Sequence, residues 1–275
     1  MKLGATSLDI AGLRENIARL ASEASSGALS AHRRKALDAE LRGLVDELGD
    51  LIAQLDPVRQ PSSVFDPSNP KVVGRFVSLA LVAQQRHPLA EIPRTYGSGV
   101  YAIYYTGDFE SYRPLSAAET PIYVGQAAPL VSNARTPREQ GARLCSRLSD
   151  HRKNIAKAIS TLRLEDFEFR SLVVQSGWET AAEDYLIHLF HPIWNSETGI
   201  LYGLGKHGDA AATRANKRSP WDTLHPGRAW AAESLEDAKT PVGIYRELSN
   251  HFAKHPVFDS LGEVLSSFLE ELRQI

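Results

Sequence analysis

Apolar residues recur at helical spacing through the first sixty positions. Ile10, Leu13, Ile17 and Leu20 fall three and four apart, and Ser25-Ser26-Gly27 then interrupts the pattern. Ser30 suits the N-cap of a second helix, in which Leu37, Leu41, Leu44, Leu48, Leu51 and Leu55 repeat at four and three, the seam spacing of a coiled coil. Pro57 ends it. Residues 1–60 are expected to form a helical hairpin, either packed on its own domain or serving as a dimerisation element. Four prolines and three serines between 57 and 70 mark a linker or extended loop, and one short helix is expected over 72–85.

The period then changes from helical to alternating. VYAIYY (100–105) is β-branched and aromatic, with Tyr101, Ile103 and Tyr105 on one face and Val100, Ala102 and Tyr104 on the other. PIYVG (121–125) and FEFRSLVV (167–174) read as two further strands. Between them lies a helix over 143–159 with the stripe Leu144, Leu148, Ile155 and Ile159, and after them a helix over 179–190 stopped before Pro192. The order β-β-α-β-α predicts an α+β fold with a small three-stranded antiparallel sheet flanked by helices. Residues 203–230 show little periodicity, and 232–275 read as a helical tail with eight acidic against four basic side chains. The expected organisation is a hairpin at 1–60, a core at 61–231 containing the 203–230 loop region, and a C-terminal extension at 232–275.

Composition narrows the function classes. The chain has 275 residues, 43% hydrophobic and 23% charged, so a packed core needs no metal or disulfide staple. No apolar run reaches the ~20 residues of a membrane helix, and the opening MKLGATSLDIAGLREN carries no signal-peptide apolar block. The single cysteine, Cys145, excludes an internal disulfide framework and a thiolate-rich zinc site. A reducing, cytoplasmic setting is expected, without a membrane partner. The net charge is −2, so contact with nucleic acid must rest on local patches.

Two such patches exist. Residues 138–157 hold six Lys or Arg against two acids, with Arg147 and His151 four apart on one side of a helix, at the rim of its apolar stripe. Residues 203–230 hold Lys206, Arg214, Lys217, Arg218 and Arg228 against two acids, interleaved with His207, His225, Trp221 and Trp230. These seven basic residues and histidines, the tryptophans aside, are candidates for DNA contact. Tyr101 and Tyr123 each sit beside a glycine in a strand, and both phenols point into one site if the strands are neighbours. Glu183 falls near the apolar face of its helix, where a carboxylate must be paired, protonated or metal-bound, and Glu179 one turn earlier competes with it. Asn195 follows Pro192 and is placed to organise the chain beneath the site. His188 and His191 suggest a metal pair, but His188 falls on the solvent side and His191 precedes a helix-breaking proline, so the pair is set aside. Gly203-Leu204-Gly205-Lys206 lacks the spacing and the Ser or Thr of a phosphate loop.

In this order, GVY (99–101), YVG (123–125), Arg147 in RLSDH, Glu183 in AAEDYLIHLFHPIWN and Asn195 resemble the GIY-YIG nuclease superfamily. VGRFVSLAL, YGSGVYAIYYTGDFESY, TPIYVGQAAP and SPWDTLHPGRAW extend the resemblance over roughly 65–231, to a branch of type II restriction endonucleases that adds His151 to the site. That resemblance implies homodimers cutting double-stranded DNA at the palindrome CCGCGG, paired with a cognate DNA methyltransferase. It implies one magnesium ion, with manganese as a substitute, held by Glu183 and phosphate oxygens. Tyr101 would act on the attacking water with its pKa lowered by the cation and Arg147; Arg147 would stabilise the pentavalent phosphate, and His151 and Tyr123 would position water or phosphate. Val stands at the centre of both signatures where the family has Ile, and Gln126 stands where many members carry Lys, which leaves the base open. The alternatives are a repair or mobile-element nuclease of looser specificity, and a DNA-binding protein without catalysis.

Overall fold

The computed structural model describes residues 10–25, 29–55, 58, 61, 64–205 and 217–273. They divide into two compact units, Met1–Val64 and Phe65–Ile275. In the first, α1 (Ile10–Ser25) and α2 (Ala31–Leu55) stand where the apolar periodicity places two helices. No residue of either is buried, and Leu41, Leu44, Leu48, Leu51 and Leu55 of the seam are all exposed.

The second unit is built on one antiparallel sheet. Asn69 caps α3 (Pro70–Val82) by accepting from the Lys71 backbone N–H. The chain then forms β1 (His87–Pro88), β2 (Gly99–Tyr105), β3 (Tyr123–Ala127), α4 (Pro137–Gln140), α5 (Arg143–Ile155), β4 (Phe167–Val173) and α6 (Glu179–Phe190). It closes with α7 (Pro220–Leu224), α8 (Ala229–Ala232), α9 (Pro241–Lys254) and α10 (Leu261–Leu272). The strand order is β1-β4-β2-β3. The three expected strands are present, and two-residue β1 adds a fourth at the β4 edge.

Every residue of β2 is buried, because the sheet is covered on both faces. Tyr101, Ile103 and Tyr105 enter one core with Leu144, Leu148 and Ile155 of α5 and with Trp194 and Trp221. Val100, Ala102 and Tyr104 enter the other with Leu81 of α3 and Leu186 and Phe190 of α6. The expected division of faces is thus realised. The 232–275 segment supplies both cores: Ile244 and Leu248 of α9 join the first, and Phe258, Val264 and Phe268 join the second.

Three expectations are corrected. β3 begins at Tyr123, two residues later than PIYVG suggests: Pro121 has no N–H to donate, and Ile122, which gives its N–H to the Ile103 carbonyl at 2.8 Å, leads into the ladder without a register partner of its own. α5 ends at Ile155, and Ile159, 82% exposed, is no part of its stripe. The buried stripe is instead Leu144, Leu148, His151 and Ile155, so His151 lies inside the packed face and not at its rim.

Candidate active site

Two glycines set the geometry. Gly99 has φ +152°, and a Cβ there would lie 2.0 Å from the Leu172 carbonyl oxygen of β4, so only glycine lets the two backbones pair this closely. Gly125 faces Tyr101 across the β2–β3 ladder. A Cβ on it would come within 2.6 Å of the Tyr101 hydroxyl oxygen, so the phenol lies over the bare backbone of β3.

From that position the Tyr101 hydroxyl reaches His151 Nε2 at 2.7 Å. Tyr123 completes an aromatic cluster, with ring centres 6.1 Å from Tyr101 and 4.8 Å from His151. Burial pushes His151 down to about 3, and the Arg147 charge adds to the shift. The imidazole is therefore neutral, and Nε2 can accept the phenol proton. Burial and then Tyr123 drive the Tyr101 phenol well above its usual value, although Arg147 pulls it down. Burial likewise carries Tyr123 up to about 12 against Arg147. In the protein alone desolvation outweighs the Arg147 charge and holds the Tyr101 phenol above its usual value, whereas the lowering expected from the resemblance belongs to the cation-bound site.

Glu183 stands across β3 from this cluster. Its Oε1 accepts from the Gln126 backbone N–H at 3.1 Å, while the Gln126 side chain bonds to Thr180. Burial raises the carboxyl to about 6, although the Gln126 hydrogen bonds work the other way. Glu179 has a separate task. It is buried, accepting from Ser98 Oγ at 3.0 Å and from the Gly177 N–H at 2.7 Å, and so fixes the entry to β2. Gln140 holds the same turn, accepting from the Ser98 N–H at 3.0 Å and donating to the Val174 carbonyl at 2.8 Å.

Asn195 works on the free edge of β3. Its Oδ1 accepts from the Val124 N–H and its Nδ2 donates to the Val124 carbonyl, each at 3.0 Å. The amide replaces a neighbouring strand between Tyr123 and Gly125. Tyr101, Tyr123, Arg147, His151, Glu183 and Asn195 are thus gathered along β3. Glu197, which the sequence did not single out, acts electrostatically on both Tyr123 and Glu183. Its one sequence signal is its place two residues after Asn195.

The second basic region is largely a structural network. Arg228 is buried, holds both oxygens of buried Asp222 at 2.6 and 2.7 Å, and donates to the carbonyls of Gly203, Leu204 and Gly205. His225 is buried between Tyr112 and Thr161. Arg218 binds Asp237 and the carbonyls of Ala231 and Ser234. Buried Arg228 and His225 are corrected from DNA contacts to groups that hold α7 and α8 in place, and Arg218, its side chain 30% exposed, braces the same region. Lys217 remains at the surface, paired with Glu236 at 2.9 Å. Lys206, His207 and Arg214 lie outside the described residues.

A family model described as the Eco29kI GIY-YIG domain matches residues 93–252, more than half of the chain and all of the site described above. A search among curated proteins finds no match.

Proposed function

Because the chain belongs to the Eco29kI GIY-YIG family of restriction endonucleases, we propose that it is a type II enzyme hydrolysing a phosphodiester in each strand of a GC-rich palindrome such as CCGCGG. The observation that carries the reading is the buried Tyr101 hydroxyl within 2.7 Å of neutral His151 Nε2, with Glu183 across β3. Tyr101 takes a proton from the attacking water as it passes its own to His151. The imidazole is held neutral by burial and by Arg147, and an arriving phosphodiester offsets that charge, which makes His151 a better acceptor when substrate is present. Arg147 then stabilises the charge on the pentavalent phosphorus. Tyr123 positions the water or the phosphate, and Asn195 is a positioning residue acting through β3.

Glu183 is the residue that would hold a divalent cation. Among the described residues no three His, Cys, Asp or Glu side chains converge on a point, so phosphate oxygens and water would supply the other ligands. One carboxylate with phosphate and water is a hard oxygen set that suits magnesium, with manganese as substitute. The bound ion would polarise the phosphate and stabilise the leaving 3′ oxygen.

On the DNA side, Arg138, Arg143, Arg152, Lys153 and Lys157 in and around α5 face phosphates, and base reading falls to Lys206, His207, Arg214 and Lys217. A palindrome requires two sites related by a two-fold axis, hence a homodimer, for which the exposed seam of α2 is one contact. The cognate methyltransferase would protect the same sequence, and the expected compartment is the bacterial cytoplasm. Among the described residues no helix is long and apolar enough to cross a membrane.

The test is incubation of the purified chain with phage DNA of known sequence, with and without magnesium and with a manganese control. Discrete, metal-dependent bands mapping to one palindrome are expected, and Tyr101→Phe should cut slower by roughly 10²–10⁴-fold. A smear would replace this reading with a nuclease of looser specificity. Binding without cleavage in either metal would reduce the protein to a DNA-binding module.

A further inference from the structure

The loop from β3 to α4 carries two large aliphatic side chains into solvent. Leu130 is 70% and Val131 54% exposed, although both cores of this unit are built from such side chains. The loop is held at its base. Arg143 Nε donates to the Ala128 carbonyl at 2.9 Å, and the Leu130 N–H donates to the Gln140 carbonyl at 2.9 Å. Buried Ala134 closes a turn by donating its N–H to the Val131 carbonyl at 3.0 Å, and its own carbonyl accepts from Ser176 Oγ at 3.2 Å. The Arg135 N–H donates to the Glu139 carboxylate at 2.7 Å. Leu130 stands over bare backbone, since a Cβ on Gly141 would lie 3.3 Å from its own Cβ. An apolar tip on a fixed base is a built projection rather than slack surface.

Its position relates it to the site. Leu130 follows Gln126 by four residues, and the Gln126 backbone N–H bonds to Glu183. Four residues span at most about 14 Å, roughly four base steps of a B-form strand. Residues 128–143 hold three arginines, Arg135, Arg138 and Arg143, against one acid, Glu139. Arg135 and Arg138 are exposed beside the tip.

We propose that Leu130 and Val131 form a wedge that enters a base step of the bound duplex close to the cut phosphate, with Arg135 and Arg138 on the flanking phosphates. The inference rests on the reading of the chain as a DNA endonuclease.

The chemistry selects this partner. Two aliphatic side chains beside arginines are too small a patch for a stable protein interface, and the positive flank suits a polyanion. Neither side chain has an atom that can hydrogen-bond a base edge. What the wedge senses is how readily a step unstacks, and pyrimidine–purine steps open most easily. CCGCGG contains such steps, so the wedge would add to specificity through deformability, at positions no polar group reads.

The experiment uses the full chain in magnesium-free buffer with short duplexes centred on CCGCGG, carrying 2-aminopurine in the flanks or pyrrolocytosine within the palindrome. At saturating protein, enhanced fluorescence from an unstacked base is expected at one step on each side of the two-fold axis. Leu130→Ser with Val131→Ser should abolish the enhancement and weaken binding by roughly ten-fold. Both side chains are exposed, so an unchanged melt checks the fold of this variant. Arg138→Gln should weaken binding to every duplex alike and lower the salt slope by about one, with the enhancement kept at saturation. A saturated wild-type complex with no enhanced base, or enhancement kept by the double variant, would overturn the proposal. So would a change in the oligomeric state of the double variant without DNA, which would make the tip a protein contact. Cleavage is read separately with magnesium. Cutting without enhancement removes the wedge and leaves the endonuclease; enhancement without cutting does the reverse; absence of any complex removes both.

Discussion

Glu183 is ionised at neutral pH against its surroundings. Its carboxyl titrates near 6, raised chiefly by burial, where an exposed glutamate titrates near 4.5. Below the unfolded value both states hold the proton and nothing is lost. As the pH rises through the folded value, the buried site must carry a charge the unfolded chain carries in water, and stability falls by about 2 kcal/mol in all. Glu183→Gln keeps an acceptor for the Gln126 N–H but has no charge to desolvate. It should abolish cleavage, and it should gain up to about 2 kcal/mol on the wild type between pH 4.5 and pH 8. Urea midpoints at the two pH values check this, and an equal difference at both would contradict it. The same titration should appear as an acid limb near pH 6 in kcat/KM of the wild type. His151 shows the other side of burial. Its Nδ1 is buried without a hydrogen-bond partner, so the ring is held by its hydrogen bond with Tyr101 and by packing against Tyr123.

The elements explain why two glycines flank the two tyrosines. At Gly99 an added Cβ would strike backbone of β4, which cannot move without breaking the sheet. At Gly125 it would strike the Tyr101 phenol, which can move. Gly99→Ala should therefore lose the fold, whereas Gly125→Ala should keep it and lose the site. With the hydroxyl displaced from His151, roughly 10²-fold of activity should go for a stability loss of about 1–3 kcal/mol. Circular dichroism and cleavage rates separate the two variants. Much of this was legible from spacing. The limits of α6, the alternation of β2 and the order of the six site residues follow from periodicity and short motifs. What was not legible depended on distant partners. Arg228 and His225 read as a basic surface because Asp222, Tyr112 and Thr161, which neutralise or bury them, announce nothing in sequence. An arginine in a buried ion pair and one awaiting a phosphate look alike until the fold is known. Likewise His191 and His255 are 64 positions apart in sequence yet in contact in the fold.

At the scale of the molecule, the acidic C-terminal segment is part of the catalytic unit. Phe258 donates its N–H to Thr120 Oγ1 at 2.8 Å and accepts from the Glu119 N–H at 2.7 Å, while Phe258 and Phe268 pack in the core behind β2. Removing 241–275 would strip apolar cover from both faces of the sheet. At roughly 2–3 kcal/mol for each large buried side chain, the loss of Ile244, Leu248, Phe258, Val264 and Phe268 would match the whole stability of an ordinary domain. That truncation should not fold. Residues 1–64 form the other compact unit, whose helices bury no side chain. A 65–275 fragment should therefore unfold cooperatively near the full-length midpoint and keep the site chemistry. If the α2 seam contributes to the dimer, its sedimentation should shift towards the monomer, and concerted cutting of both strands should decay into nicking. A fragment that stays dimeric would move the two-fold contact into 65–275, and one that fails to fold would show that the N-terminal helices support the sheet after all.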